Sequence, residues 1–161
     1  MRAVSMSGAK VRRRQPQTRL RPARQEHQRM WSNFEVAQQG SDLAAKYVGR
    51  RRPDVGSYVV LVGDVPIGYA QYWHAGTTEG GIDLILDPRW RGRGFGPDAA
   101  DALANHVLRN LHWTRVTADP AATNARAVRA WEKAGFRRVG QNGDEFLMDS
   151  TPSGRRGRMP R

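Results

Sequence analysis

The 161-residue sequence has no cysteine. That excludes a disulfide framework, a thiolate zinc site and a cysteine nucleophile. No apolar run approaches the ~20 residues that a membrane helix needs. The basic N-terminus leads into no apolar core of a secretory signal. The missing cysteine fits a reducing compartment, so a cytoplasmic protein with no membrane association is expected. The four histidines, His27, His74, His106 and His112, have no metal-ligand spacing, and no metal is expected. No Gly-x-Ser-x-Gly elbow marks a serine hydrolase.

Acid is missing at both ends. Residues 1–24 carry eight basic residues and no carboxylate, and residues 150–161 carry four and none. Residues 25–149 hold 15 of each sign, so the net charge of +12 belongs to the ends. Lysine is scarce: 24 of the 27 basic residues are arginine, which is as easily a coding bias as a phosphate-binding surface. Residues 1–18 and 150–161 have little apolar content and no period, and both read as disordered basic tails. Residues 19–149 read as a single domain, long enough for one packed core.

Inside it, elements alternate. Thr18 to Pro22 is a short strand candidate. Helical stretches are expected over Glu26–Val36 and, after an N-cap at Ser41, over Asp42–Val48. Ser57–Val62 and Val65–His74 form a hairpin about Gly63-Asp64. Gly81–Leu86 is a strand closed by Asp87-Pro88. Pro97 and Asp98 suit a first helical turn, and Ala99, Leu103, Val107 and Leu111 share one face of that helix. Thr114–Ala118 is a strand, Thr123 caps a helix through Ala134, and Phe136–Gly140 and Glu145–Met148 are the last strands. The order points to a mixed sheet with helices on its faces.

Two segments carry chemistry. Arg91-Gly92-Arg93-Gly94-Phe95-Gly96 lies between a strand and a helix start. Glycines let the backbone approach a ligand closely. The unpaired N–H groups of the first helical turn, with two arginines, suit a pyrophosphate. The Lys-Ser/Thr pair of a nucleoside-triphosphate loop is absent, and proline occupies the third glycine of the dinucleotide fingerprint. The second segment runs from Asn124 to Phe136. As a plain helix it buries Ala127, Val128 and Trp131 and stops at Gly135, which explains every residue except Asn124.

Together these segments resemble the GCN5-related N-acetyltransferases, whose Arg/Gln-x-x-Gly-x-Gly/Ala signature is matched by Arg91, Gly94 and Gly96. Their later Asn-x-x-Ala-x-x-x-Tyr-x-Lys-x-Gly-Phe run is matched by Asn124, Ala127, Lys133, Gly135 and Phe136. The likeness covers about Leu20 to Met148. Pro66-Ile67-Gly68-Tyr69-Ala70-Gln71, Gly81-Ile82-Asp83 and Asp119-Pro120 point within the family to the aminoglycoside 6'-N-acetyltransferases. The resemblance implies an α/β fold of mixed α+β type, with a central, mostly antiparallel sheet flanked by helices. It implies acetyl-CoA as co-substrate and transfer to a primary amine of a small polyamine or aminoglycoside, by direct attack in a ternary complex. The coenzyme would meet Leu86, Arg91, Gly92, Arg93, Gly94, Phe95, Gly96, Asn124 and Trp131. Asp83 and Asp119 would bind the amine, with Asp83 also taking its proton and Glu79 a further carboxylate nearby. A bulged fourth strand would supply a backbone N–H between Leu84 and Leu86. The family's tyrosine is Trp131 here, and an indole N–H is no usable acid near neutral pH. Competing acceptors are a protein or peptide amine or a siderophore precursor. A monomer or homodimer is expected. The reading from another class is nucleic-acid binding through the basic ends, against which the neutral middle weighs.

Overall fold

The computed structural model describes residues 17–24 and 54–156. The described strands are β1 (Arg19–Pro22), β2 (Val55–Val62), β3 (Val65–His74), β4 (Glu79–Leu86), β5 (Arg115–Ala118), β6 (Arg137–Asn142) and β7 (Glu145–Ser150). The described α-helices are α1 (Phe95–Asn105), α2 (Ala125–Lys133) and the short α3 (Pro152–Arg155). The strands form one sheet in the order β1-β2-β3-β4-β5-β7-β6. Every pairing is antiparallel except β4 with β5.

Alternation along the strands sets the two faces. Val60, Ala70, Ile82, Val116 and Met148 meet the helices in the main core. Helix α1 brings Ala99 and Leu103 to it, with Val107 just beyond, and α2 brings Trp131. Each large apolar side chain buried this way contributes about 1.5–3 kcal/mol. The methyl-sized Ala99, Ala100 and Ala104, all buried, let α1 lie close to the sheet. Val59 and Tyr69 are fully buried on the opposite face, where burial raises the Tyr69 hydroxyl pKa.

Several boundaries differ from the sequence reading. Strand β4 starts at Glu79, two residues early, and includes Gly80 and Gly81. Those glycines are there for close packing: a Cβ on Gly80 would meet the Trp73 carbonyl, and one on Gly81 the Trp73 ring. The apolar face continues to Leu111, but the α-helix stops at Asn105 and a π-type turn covers His106–Asn110. There the Leu111 N–H reaches the His106 carbonyl at 3.3 Å. Periodicity reports the buried face and is blind to this change of hydrogen-bond register. The α2 cap is Asn124 rather than Thr123, because the Asn124 Oδ1 accepts from the Ala127 N–H at 3.1 Å.

The expected disorder from Ser150 onward is corrected as far as Arg156. Ser150 pairs with Val116 in the sheet. Thr151 caps α3 by accepting from the Gly154 N–H at 3.2 Å, and Arg155 is buried. The helices expected over 26–36 and 42–48 lie outside the described residues, as do the tail residues 1–16 and 157–161. Among the described residues no helix is long and apolar enough to cross a membrane.

Candidate active site

Strands β4 and β5 part company midway. Their register runs Glu79–Arg115, Gly80–Val116, Gly81–Thr117, and ends there. Beyond Gly81, β4 continues paired to β3 alone, without a break from His74–Gly80 to Gly68–Leu86. The expected bulge in this strand is therefore absent; a one-to-one ladder takes its place. The Asp87 N–H donates to the Ile67 carbonyl at 2.8 Å and the Ala75 N–H to the Glu79 carbonyl at 3.0 Å. Odd-numbered residues of β4 thus spend their backbone groups on β3, and Leu84 and Leu86 turn theirs toward the gap left by β5. Simple alternation delivers the inward N–H that a bulge was expected to supply.

Two groups already occupy that gap. The Asp83 carboxylate reaches over to accept from the Leu84 N–H at 2.8 Å. Arg91 Nε donates to the Leu86 carbonyl at 2.9 Å. Asp119 sits directly after β5, two residues past the last β4–β5 pair, just as Asp83 sits two past it on β4. The two carboxylates therefore flank the parting of the strands; Asp83 is half-buried and Asp119 exposed. Gln71, paired with Asp83 across the ladder, is buried, and its Oε1 has no hydrogen-bond partner. Glu79 lies at the paired end instead, 3.9 Å from Arg115.

On the helix side the gap opens into a cleft of about 650 Å³ between β4, the start of α1, and α2. The glycine loop forms one end. Asp87 begins it: fully buried, it accepts from the Arg89 N–H at 3.0 Å and from the guanidinium at 2.6 Å. Hydrogen bonding from the Arg89 guanidinium holds its carboxyl below the usual range, against a smaller opposing effect of burial. Gly92 and Gly94 take φ of 70° and 87°, left-handed values that favour glycine. Gly94 caps α1 without a side chain, and Pro97 has no N–H. The one acid of that first turn, Asp98, is held by Thr18, whose N–H and hydroxyl donate to it at 2.6 and 2.7 Å. The N–H groups of Phe95 and Gly96 are thus left for an anion.

Of the residues expected to meet a coenzyme, Leu86, Arg91, Gly92, Gly94, Gly96, Asn124 and Trp131 line this cleft. Arg93 and Phe95 do not. The Arg93 guanidinium lies over the Trp90 ring at 4.7 Å and near Phe95 at 5.4 Å, and Phe95 is buried beneath Trp90. Cation–π attraction competes here with any ligand phosphate. Trp131 packs edge-to-face on Phe136 at 5.0 Å. His74 packs on Trp113 at 4.9 Å. Sequence reasoning missed the cleft positions Ala100, Arg126, Arg129 and Lys133. For Arg126 and Arg129 the signal was helical spacing relative to Asn124, for Lys133 its place in the matched run, and for Ala100 its position beside the buried face of α1. Among the described residues no group of three His, Asp or Glu could hold a metal ion.

The sequence matches the profile of the acetyltransferase (GNAT) domain over residues 7–137. It is 30% identical over 125 residues to an aminoglycoside N(6')-acetyltransferase type 1 from Klebsiella pneumoniae, covering 68% of this chain and 62% of that protein. It is 36% identical over 73 residues to a kanamycin resistance protein from Rhizobium radiobacter, covering 44% and 68% of the two chains. The fold is similar to that of the aminoglycoside acetyltransferase AAC(6')-Ib solved with coenzyme A and kanamycin, with a TM-score of 0.74 at 24% identity over 88% of this chain and 99% of that one. The same enzyme solved with ribostamycin and coenzyme A gives a TM-score of 0.77 at 22% identity, over 90% and 99% of the chains. The chain thus spans less than two thirds of the length of the Klebsiella relative. A glycine loop on a helix start, parted strands beside it and a profile match over most of the sequence place this chain in the GNAT acetyltransferase family.

Proposed function

We propose that this chain is an acetyl-CoA-dependent N-acetyltransferase that acetylates a primary amine of an aminoglycoside or a similar small polyamine. The observation that carries the reading is the Asp83 carboxylate in the parting of β4 and β5, held by the N–H of Leu84, the neighbouring residue that lines the cleft. The cleft fits a diphosphate-bearing coenzyme: left-handed glycines, Arg91 and free helix-start N–H groups line one end of it. The coenzyme supplies an acetyl thioester.

Much of the acceleration comes from holding amine and thioester together across the gap. Asp83 and Asp119 attract a cationic acceptor, and Asp83 takes the proton that the amine loses, directly or through water. The amine lone pair attacks the acetyl carbon, the carbon–sulfur bond breaks, and its electron pair leaves with sulfur. The Leu86 N–H is the donor placed to meet the carbonyl oxygen as charge builds on it. Trp131 acts as a wall, and water in the open cleft protonates the thiolate.

Asp83→Asn is expected to lower acceptor turnover about 10²–10⁴-fold while leaving acetyl-CoA affinity unchanged by calorimetry. Unchanged turnover removes the role given to Asp83. Thiol release measured against aminoglycosides, linear polyamines, peptide amines and hydroxamate precursors identifies the acceptor.

A further inference from the structure

The α2 wall of the cleft carries more positive charge than a diphosphate needs. Arg126, Arg129 and Lys133 all line it. At ~100° per residue, Ala127 and Trp131 point into the cleft, Arg126 and Lys133 fall together on one flank of that line, and Arg129 lies next to them toward the outer face. They form a single lip. Glu132, the only acid on the helix, lies on the other side. No carboxylate among the described residues pairs with Arg126 or Arg129.

The placement is unfavourable in the free protein. Arg126 sits in the first turn of α2, which has no acidic residue. A cation there opposes the helix dipole, with Arg129 one turn away adding repulsion. An anion beside this lip reverses both effects. The diphosphate is already served at the other end of the cleft by Arg91 and the start of α1. Coenzyme A carries one further phosphate, a monoester on its ribose with a charge of about −1.5 to −2 at neutral pH.

We propose that Arg126, Arg129 and Lys133 form a separate subsite for that phosphomonoester, so that this chain selects coenzyme A over its 3'-dephospho form. The proposal rests on the acetyl-CoA reading above. Calorimetric titration with coenzyme A and with 3'-dephospho-coenzyme A tests it, on the intact chain and on an Arg126→Gln/Arg129→Gln variant whose fold is checked by circular dichroism. The intact chain is expected to bind coenzyme A at least tenfold more tightly than the dephospho form. The double variant should lose at least tenfold for coenzyme A and less than threefold for the dephospho form. Equal binding of both ligands to the intact chain overturns the subsite and leaves the coenzyme reading standing. An equal loss of both ligands in the variant also overturns it, since that is a general electrostatic effect. Binding of neither ligand to the intact chain overturns the coenzyme reading itself.

Discussion

Asp87 concentrates the local chemistry of the loop into one side chain. It ends β4's ladder, caps the 3₁₀ turn Pro88–Trp90, and is paired to Arg89 while fully buried. Arg91, two residues on, then reaches back to the Leu86 carbonyl. Replacing Asp87 with asparagine keeps the shape and removes the charge-assisted bonds, at an expected cost of about 1–2 kcal/mol at neutral pH. The carboxyl's lowered pKa sets the sign of the pH effect. Its stabilising contribution is present above the ordinary aspartate value of about 4 and is lost as pH falls through the lower value of the fold. Urea midpoints of the two proteins should therefore converge in acid; a gap that persists at low pH sinks the assignment. The same scale explains Arg93. Its position in the loop suggested a phosphate ligand, yet Trp90 and Phe95 offer it two rings.

At the scale of elements, the end of α1 is the most informative. The π turn presents His106 to β2, where Nε2 lies 3.1 Å from the Tyr58 hydroxyl. The Asn110 amide nitrogen lies 3.0 Å from Nδ1. An amide nitrogen only donates, so Nδ1 accepts and the ring proton sits on Nε2. Burial lowers the His106 pKa, and burial also raises the Tyr58 hydroxyl to about 12, with Tyr72 beside it adding to the shift. A lowered histidine pKa means that the unfolded chain takes up the proton first. Stability from this turn is thus complete above the ordinary value of about 6.5 and falls as pH drops below it. Denaturant midpoints at pH 7.5 and 5.5 should differ more for the native sequence than for His106→Asn. Equal shifts in both proteins mean that His106 is not the group responsible.

Over the whole molecule, helix α1 gathers both ends of the described chain. Asp98 holds Thr18 near the start. Asp101 holds Arg155 near the end, at 2.9 and 3.1 Å, and the same guanidinium donates to the Ala134 carbonyl at the end of α2. One buried arginine thereby ties α3 to both helices that wall the cleft. Arg155→Ala leaves the half-buried Asp101 carboxylate with only the Asn105 amide donating to it at 3.2 Å, removes both guanidinium donors from the Ala134 carbonyl, and should cost about 2–3 kcal/mol in urea unfolding. A double-mutant cycle with Asp101→Ala should return a coupling above ~1 kcal/mol; additive losses contradict the link. The charge ledger changes with it. Arg155 was counted among the solvated cations of a tail, and it is an internal fastener.

Strand identities, the β2–β3 hairpin at Gly63, the glycine loop before a helix and the second helix with its glycine stop were all legible in the sequence. They rest on local rules: period, turn chemistry and capping act within a few residues. The family followed from two such local patterns in order. What lay beyond local rules went differently. The departure of β5 from β4 after Gly81, the ordinary ladder where a bulge was expected, the π turn at His106 and the docking of Arg155 all depend on residues far apart in the chain. So does the division of the glycine loop's arginines, with Arg91 turned to the cleft and Arg93 to the rings. The sequence by itself determined which elements form and which side chains carry charge. Only the tertiary structure decided which of those charges face a ligand, because a long, flexible cation settles on whichever carbonyl, ring or carboxylate the packing of distant segments brings within reach.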